Sequence, residues 1–153
     1  NIKCVLECVE LSNEELSKYT FFDFEKPYTR NLAATDEKHY TLLVLCWSPG
    51  KESKIHNHPC DGCFIKTLSG CIREIQYTTD ETTDEIRKSK VSYMCDDMGL
   101  HKIGNPGAVC AVTLHLYTPP FQSCKVWSQD GAGTLSQSSV GVMGYFSAYG
   151  LRT

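Results

Sequence analysis

Val109-Cys110-Ala111-Val112-Thr113-Leu114-His115-Leu116-Tyr117 alternates between two kinds of side chain. Successive residues of a strand point to opposite faces. Cys110, Val112, Leu114 and Leu116 then make one apolar face, and Thr113, His115 and Tyr117 make the other. Three hydrogen-bonding groups in a row are either the solvated face of an open sheet or the lining of a cavity in a closed one. Short β-branched or aromatic runs bounded by Gly, Pro, Asp or Ser also occur at 41–47, 63–68, 71–77, 90–94, 125–127 and 140–147, and each has the composition of a strand. Ser69-Gly70 has the residue types of a tight hairpin turn between the second and third of these. One helix start stands out: Ser12-Asn13-Glu14-Glu15 is a capping-box pattern and predicts a short helix over 13–19. Many short strands with little helix predict an all-β sandwich or small barrel. No repeat, low-complexity tract or linker divides the chain, so one domain over 1–153 is expected.

A chain of 153 residues can bury roughly 70% of its unfolded surface without an external staple. Charged residues make up 22%, the net charge is −3, and lysines and arginines form no run. That argues against nucleic acid or an anionic membrane as a partner. No apolar stretch approaches the roughly 20 residues of a membrane span, and the start of the chain lacks the basic–apolar–small pattern of a signal peptide. The nine cysteines are an odd number, and Cys46, Cys71 and Cys110 lie in apolar runs. Such positions suit reduced thiols acting as small hydrophobes, hence a cytoplasmic protein.

His56-Asn57-His58 places two imidazoles two residues apart, on one side of a strand, where both can meet one metal ion. Gly50 precedes this pair, Cys63 and Gly70 follow it, and Gly99-Leu100-His101 with Asn105 comes later. In that order these residues resemble the two motifs of the cupin superfamily. The first supplies H-x-H, with Cys63 standing in the acidic slot, and the second supplies a third histidine. Only Leu100 separates Gly99 from His101, where the superfamily usually has two residues. Three neutral imidazoles on one side of an ion leave adjacent positions open, yet imidazole also suits Zn, Ni and Cu and does not by itself select iron. A competing reading joins Cys60 and Cys63 to His56 and His58 as a structural zinc site, which leaves His101 without a role. Pro59-Cys60-x-x-Cys63 also echoes half of a zinc deaminase, but the His-x-Glu such enzymes need occurs nowhere in the chain.

Tyr28-Thr29-Arg30-Asn31-Leu32, Leu45-Cys46-Trp47, His56-x-His58 with Cys63, Gly99-Leu100-His101, Leu114-His115-Leu116-Tyr117-Thr118-Pro119-Pro120-Phe121 and Gly150-Leu151-Arg152-Thr153 together resemble animal-type cysteine dioxygenase, over about 28–153. The resemblance implies a jelly-roll-like cupin barrel with a short, abbreviated N-terminal helical segment. It implies Fe(II) held by His56, His58 and His101, O2 as co-substrate, and conversion of L-cysteine to cysteine sulfinic acid by a monomer. Arg30 would pair with the substrate carboxylate, with Tyr28 beside it, and Trp47, Leu45 and Met143 would line the pocket. Tyr117 would place its hydroxyl near the substrate, His115 would hydrogen-bond that hydroxyl, and Cys63 would be joined to Tyr117 by a thioether. Thr113 stands where the family usually has serine, which keeps a hydroxyl donor for His115. The resemblance also implies a cis peptide before Pro119. Cys60 adds a second thiol close by. Rival readings are a thiol dioxygenase acting on 3-mercaptopropionate, which usually lacks this arginine and cysteine, one acting on cysteamine, and a non-catalytic metal-binding cupin.

Overall fold

In the computed structural model, which describes residues 1–88 and 90–153, the strand-forming runs assemble into two sheets. One orders β13 (Leu151–Arg152), β12 (Ser147–Ala148), β1 (Tyr28–Thr35), β2 (Thr41–Trp47), β9 (Ala111–Thr118), β4 (Gly62–Ser69) and β7 (Val91–Met94). The other orders β11 (Leu135–Val142), β10 (Ser123–Gln129), β3 (Ile55–His56), β8 (Leu100–Gly104), β5 (Ile72–Tyr77) and β6 (Thr82–Arg87). Apolar side chains of both sheets meet in one buried cluster, with Leu43, Leu45, Trp47, Cys63, Ile65 and Tyr117 from the first and Ile72 and Ile103 from the second. This two-sheet, mostly β architecture is the one expected from the strand pattern.

The alternation in β9 explains why nearly all of it is buried. Thr113, His115 and Tyr117 point between the sheets, so the polar stripe lines the interior. Val112 and Leu114 join a second cluster on the outer face with Val44, Cys46 and Leu6, flanked by Val9, Leu16, Tyr19 and Phe22. That outer face is therefore covered by the N-terminal segment, which carries α1 (Ile2–Cys8) and α2 (Asn13–Ser17). Lys66 of β4 ties this segment down. Its buried Nζ donates to Leu6 O at 2.8 Å, to Glu7 O at 3.0 Å and to Val9 O. A cation thus satisfies carbonyls left open at a helix C-terminus.

Several expectations need correction. Ser69-Gly70 is not a hairpin turn, because β4 and β5 lie in different sheets. The chain crosses between sheets at Gly70, where φ is +72° and a Cβ would come 2.9 Å from Ala111 Cβ and Cys110 O. Only glycine accepts both the left-handed backbone and the close approach. The capping box forms as read, with Glu15 N donating to Ser12 Oγ and Ser12 N to Glu15 Oε2. Its helix stops at Ser17, because Tyr19 N bonds Leu16 O in a tighter turn. β9 starts at Ala111, leaving Cys110 before it and Val109 exposed. The run 140–147 divides between β11 and β12, and β1, β6, β8 and α1 had no strand or helix reading in the sequence. The peptide before Pro119 is cis. Among the described residues no helix is long and apolar enough to cross a membrane, and the nine cysteines are unpaired.

Candidate metal centre

His56 ends β3 and lies directly across from His101 of β8. The Nε2 atoms of the two rings are 3.2 Å apart. His58 is not on a strand. β3 stops at His56, and the shared-strand reading of His56-Asn57-His58 gives way to a pegged loop. Asn57 accepts from Lys125 N at 2.7 Å, and Asp96 accepts from His58 N at 2.8 Å and from Asn57 Nδ2 at 3.2 Å. These contacts turn His58 inward, where it is 1% exposed. Gly99 sets the start of β8: its φ is +120°, and a Cβ there would meet Tyr77 O at 2.2 Å. This is a close backbone approach that only glycine makes.

The ligand atoms of His56, His58 and His101 all lie within 4.8 Å of one another, and no other such group of His, Cys, Asp and Glu occurs among the described residues. The zinc reading with Cys60 and Cys63 therefore has no geometric counterpart. Burial is the largest cause lowering the pKa of all three histidines, so the rings are neutral, as ligation requires. Lys54 O lies 2.7 Å from His56 Nδ1. A carbonyl only accepts, which puts the proton on Nδ1 and leaves the Nε2 lone pair facing His101. Nδ1 of His58 and of His101 are buried without hydrogen-bond partners. Converging neutral imidazoles, with the Nε2 atoms of His56 and His101 turned towards each other, fit a divalent transition metal.

The opposite sheet supplies much of the rest of the cavity. One small cavity is lined by Tyr28, Arg30, Leu45, Trp47, Met143, His115 and Tyr117 together with the three histidines, Ser53 and Ile103. Of the residues singled out in the sequence, Cys63, Cys60 and Thr113 lie off its wall, and the ligand and pocket residues lie on it. Cys63 is fully buried as the direct cross-strand partner of Tyr117. A larger cavity of about 550 Å3 shares Tyr28, Arg30, Ser53, His56 and Met143 with the small one. Arg30 is gripped by the segment before β12: Nη1 donates to Gly144 O at 2.8 Å, and the guanidinium lies 5.3 Å from the Tyr145 ring centre. Its buried Nε has no partner.

A run of hydrogen bonds crosses the floor from Trp47 to Tyr117. Trp47 Nε1 donates to Thr113 Oγ1 at 2.8 Å, Thr113 Oγ1 lies 2.8 Å from His115 Nε2, and His115 Nδ1 lies 3.1 Å from Tyr117 Oη. Thr113 is fully buried, and its hydroxyl proton meets an acceptor if it is given to His115 Nε2. Neutral imidazole then carries its proton on Nδ1 and donates it to Tyr117 Oη. His115 is held neutral by burial first, with Arg30 nearby, which together push its pKa down to about 3. Burial also pushes the Tyr117 hydroxyl and the Cys63 thiol well above their usual ranges, so both keep their protons. Cys60 is half-buried against the same core cluster, its thiol pushed up to about 11 by burial.

Sequence reasoning missed Asp96, which aims His58, and Glu74, a buried carboxylate behind His101. An acidic residue in a short polar run carries no signal that distinguishes such a position.

Comparisons with known proteins agree with this geometry. The family model for cysteine dioxygenase type I matches residues 1–130. A Rattus norvegicus protein described as cysteine dioxygenase type 1 is 34% identical over 162 residues, covering 99% of this chain and 78% of that relative. A Danio rerio protein of the same description is 30% identical over 163 residues, covering 99% and 79%. Among solved structures, a Klebsiella pneumoniae protein with a double-stranded beta-helix domain matches with a TM-score of 0.57 at 14% identity, over 81% of this chain and 94% of that one. That likeness speaks to the fold alone. With the family model covering most of its length and relatives above 30% identity along nearly all of it, the chain belongs to the cysteine dioxygenase type I family of enzymes.

Proposed function

We propose that residues 1–153 act as one catalytic domain that converts L-cysteine and O2 to cysteine sulfinic acid at an Fe(II) centre held by His56, His58 and His101. The observation that carries this reading is Arg30, a buried guanidinium with an unfilled Nε, on the wall of the same cavity as the three histidines and Tyr117. A thiol substrate that also bears a carboxylate answers both ends of that cavity.

His56, His58 and His101 would hold Fe(II), which would offer open coordination positions to a thiolate and O2. The reaction balances without a further reductant, since a thiol plus O2 has the composition of a sulfinic acid. Arg30 binds the carboxylate through the charge-assisted geometry that a guanidinium offers. Its bond to Gly144 O limits the rotation of the group. Tyr28 packs against Trp47 in a tilted arrangement, ring centres 4.6 Å apart, and closes the apolar wall with Leu45 and Met143. Because His115 donates to Tyr117 Oη, the phenol proton is free to point into the cavity. There it stabilises negative charge developing on oxygen. The cross-strand pairing of Cys63 with Tyr117 supports a thioether between them, which would hold the phenol in place. The reading includes a monomer in the cytoplasm, and the unpaired cysteines support a reducing compartment.

The test is O2 uptake by Fe(II)-loaded protein offered L-cysteine, 3-mercaptopropionate and cysteamine in parallel, with products identified by mass. Preferred uptake with cysteine and a gain of two oxygens is expected. Arg30→Ala should raise KM for cysteine strongly while iron binding is kept. Preference for cysteamine, or a KM indifferent to Arg30, would overturn the substrate assignment. Iron binding without thiol-dependent uptake would indicate a non-catalytic protein.

A further inference from the structure

Glu74 is 2% exposed on β5 and faces the interior beside the metal centre, although none of the site roles above requires it. Its neighbours leave one direction open. Oε1 accepts from Gln76 Nε2 at 2.6 Å, lies 2.8 Å from Ser92 Oγ, and has Arg87 Nη2 at 3.6 Å. Oε2 lies 2.7 Å from the same Ser92 hydroxyl, which has one proton to share between the two oxygens. On its other side Oε2 faces Nδ1 of His101 at 3.7 Å. That Nδ1 is buried and has no partner. The β5–β8 register explains the approach: Gln76 pairs with His101 and Glu74 with Ile103, so all four side chains share the inner face.

A buried N–H without an acceptor is costly, and so is a buried carboxylate oxygen without a donor. Here His101 Nδ1 has no partner and Glu74 Oε2 has only a share in the single Ser92 hydroxyl proton, and the two atoms lie just beyond hydrogen-bond range of each other. We propose that Glu74 is a positioning residue for the metal centre. It accepts the Nδ1 proton of His101 in the metal-loaded protein, holding that ring in the tautomer whose Nε2 lone pair faces the ion. Histidine ligands commonly donate their second ring nitrogen to a carboxylate in this way, and losing that partner typically lowers metal affinity about 10–100-fold. Gln76 and Ser92 fix the carboxylate so that Oε2 is aimed at His101. The inference rests on the three-histidine reading of the site.

The experiment measures Co(II) affinity by chelator competition, with the visible ligand-field spectrum, in the wild-type chain, Glu74→Gln, Arg87→Met and His101→Ala. The expected result is a loss of about 10–100-fold with an altered spectrum in Glu74→Gln, little change in Arg87→Met, and loss of the bound spectrum in His101→Ala. Should Glu74→Gln not fold, the wild-type chain loaded with Zn(II) still decides. Imidazole 15N–1H spectra should then show a slowly exchanging Nδ1 proton on His101. Wild-type affinity in Glu74→Gln, an equal loss in Arg87→Met, or an exchange-averaged His101 Nδ1 would overturn the role of Glu74 alone. If wild-type protein bound Co(II) no better than His101→Ala, the metal centre itself would fall, and this inference with it.

Discussion

Thr113 lies behind the cavity wall, yet together with Trp47 it determines where the proton of Tyr117 can go. The indole donates to Thr113, which frees the threonine hydroxyl to donate onward, and His115 passes that polarity to the phenol. Cys63, on the next strand, is the cross-strand neighbour of Tyr117 and its proposed thioether partner. Purified active protein is expected to weigh two hydrogens less than its sequence, and Cys63→Ala should weigh its full value. An equal deficit in both proteins, read by intact-mass spectrometry, would exclude this pair and turn attention to Cys60. The pairing of His56 with His58 was legible from the H-x-H spacing alone, whereas His101, Arg30 and Tyr117 were singled out only because their flanking motifs resemble those of a known family. Glu74 was not legible. In Ile72-Arg73-Glu74-Ile75-Gln76 the inward residues are Ile72, Glu74 and Gln76, and a polar pair on that face reads from sequence as the solvated side.

At the scale of elements, strand content was legible and pairing was not. Composition marks a run as a strand, but the partner of that run depends on contacts far along the chain. Ser69-Gly70 has hairpin residues and nevertheless carries the chain from one sheet to the other. His56-Asn57-His58 looked like part of one strand, and the pegs from Asp96 and Lys125 end that strand after His56. The N-terminal helix α1 gave little signal because seven residues are too few to be stable alone. Its anchor is Lys66 in β4. Replacing that ammonium by an apolar side chain leaves buried carbonyls unpaired, at about 1–3 kcal/mol. Lys66→Met is therefore expected to lower the denaturation midpoint and to expose residues 1–9 to protease first. An unchanged midpoint with an unchanged digestion pattern would show that the outer apolar cluster holds α1 without it.

For the whole molecule, the overall architecture was legible because two sheets closing over one apolar layer leave few alternatives for strands of this length. Stability of the metal-free protein should follow pH through its buried imidazoles. His115 stays neutral in the native state down to about 3, whereas the unfolded chain takes up that proton near 6.5. Between these values the unfolded state binds more protons, so acidification favours unfolding, by up to about 1.4 kcal/mol per pH unit for this one group. Above that window the contribution is constant. Melting temperatures of the metal-free wild-type protein and of His115→Gln should converge as pH falls from 6.5 towards 3. Curves that stay parallel would contradict the assignment.

The division of the cavity between sheets has a practical consequence for altering the enzyme. The histidine side belongs to β3, β8 and the loop after β3, while the guanidinium, indole and phenol belong to β1, β2 and β9. A library confined to Tyr28, Arg30, Leu45 and Met143 would vary which thiol is accepted and leave the ion-binding half unedited. Retargeting such a scaffold is then a search over one wall.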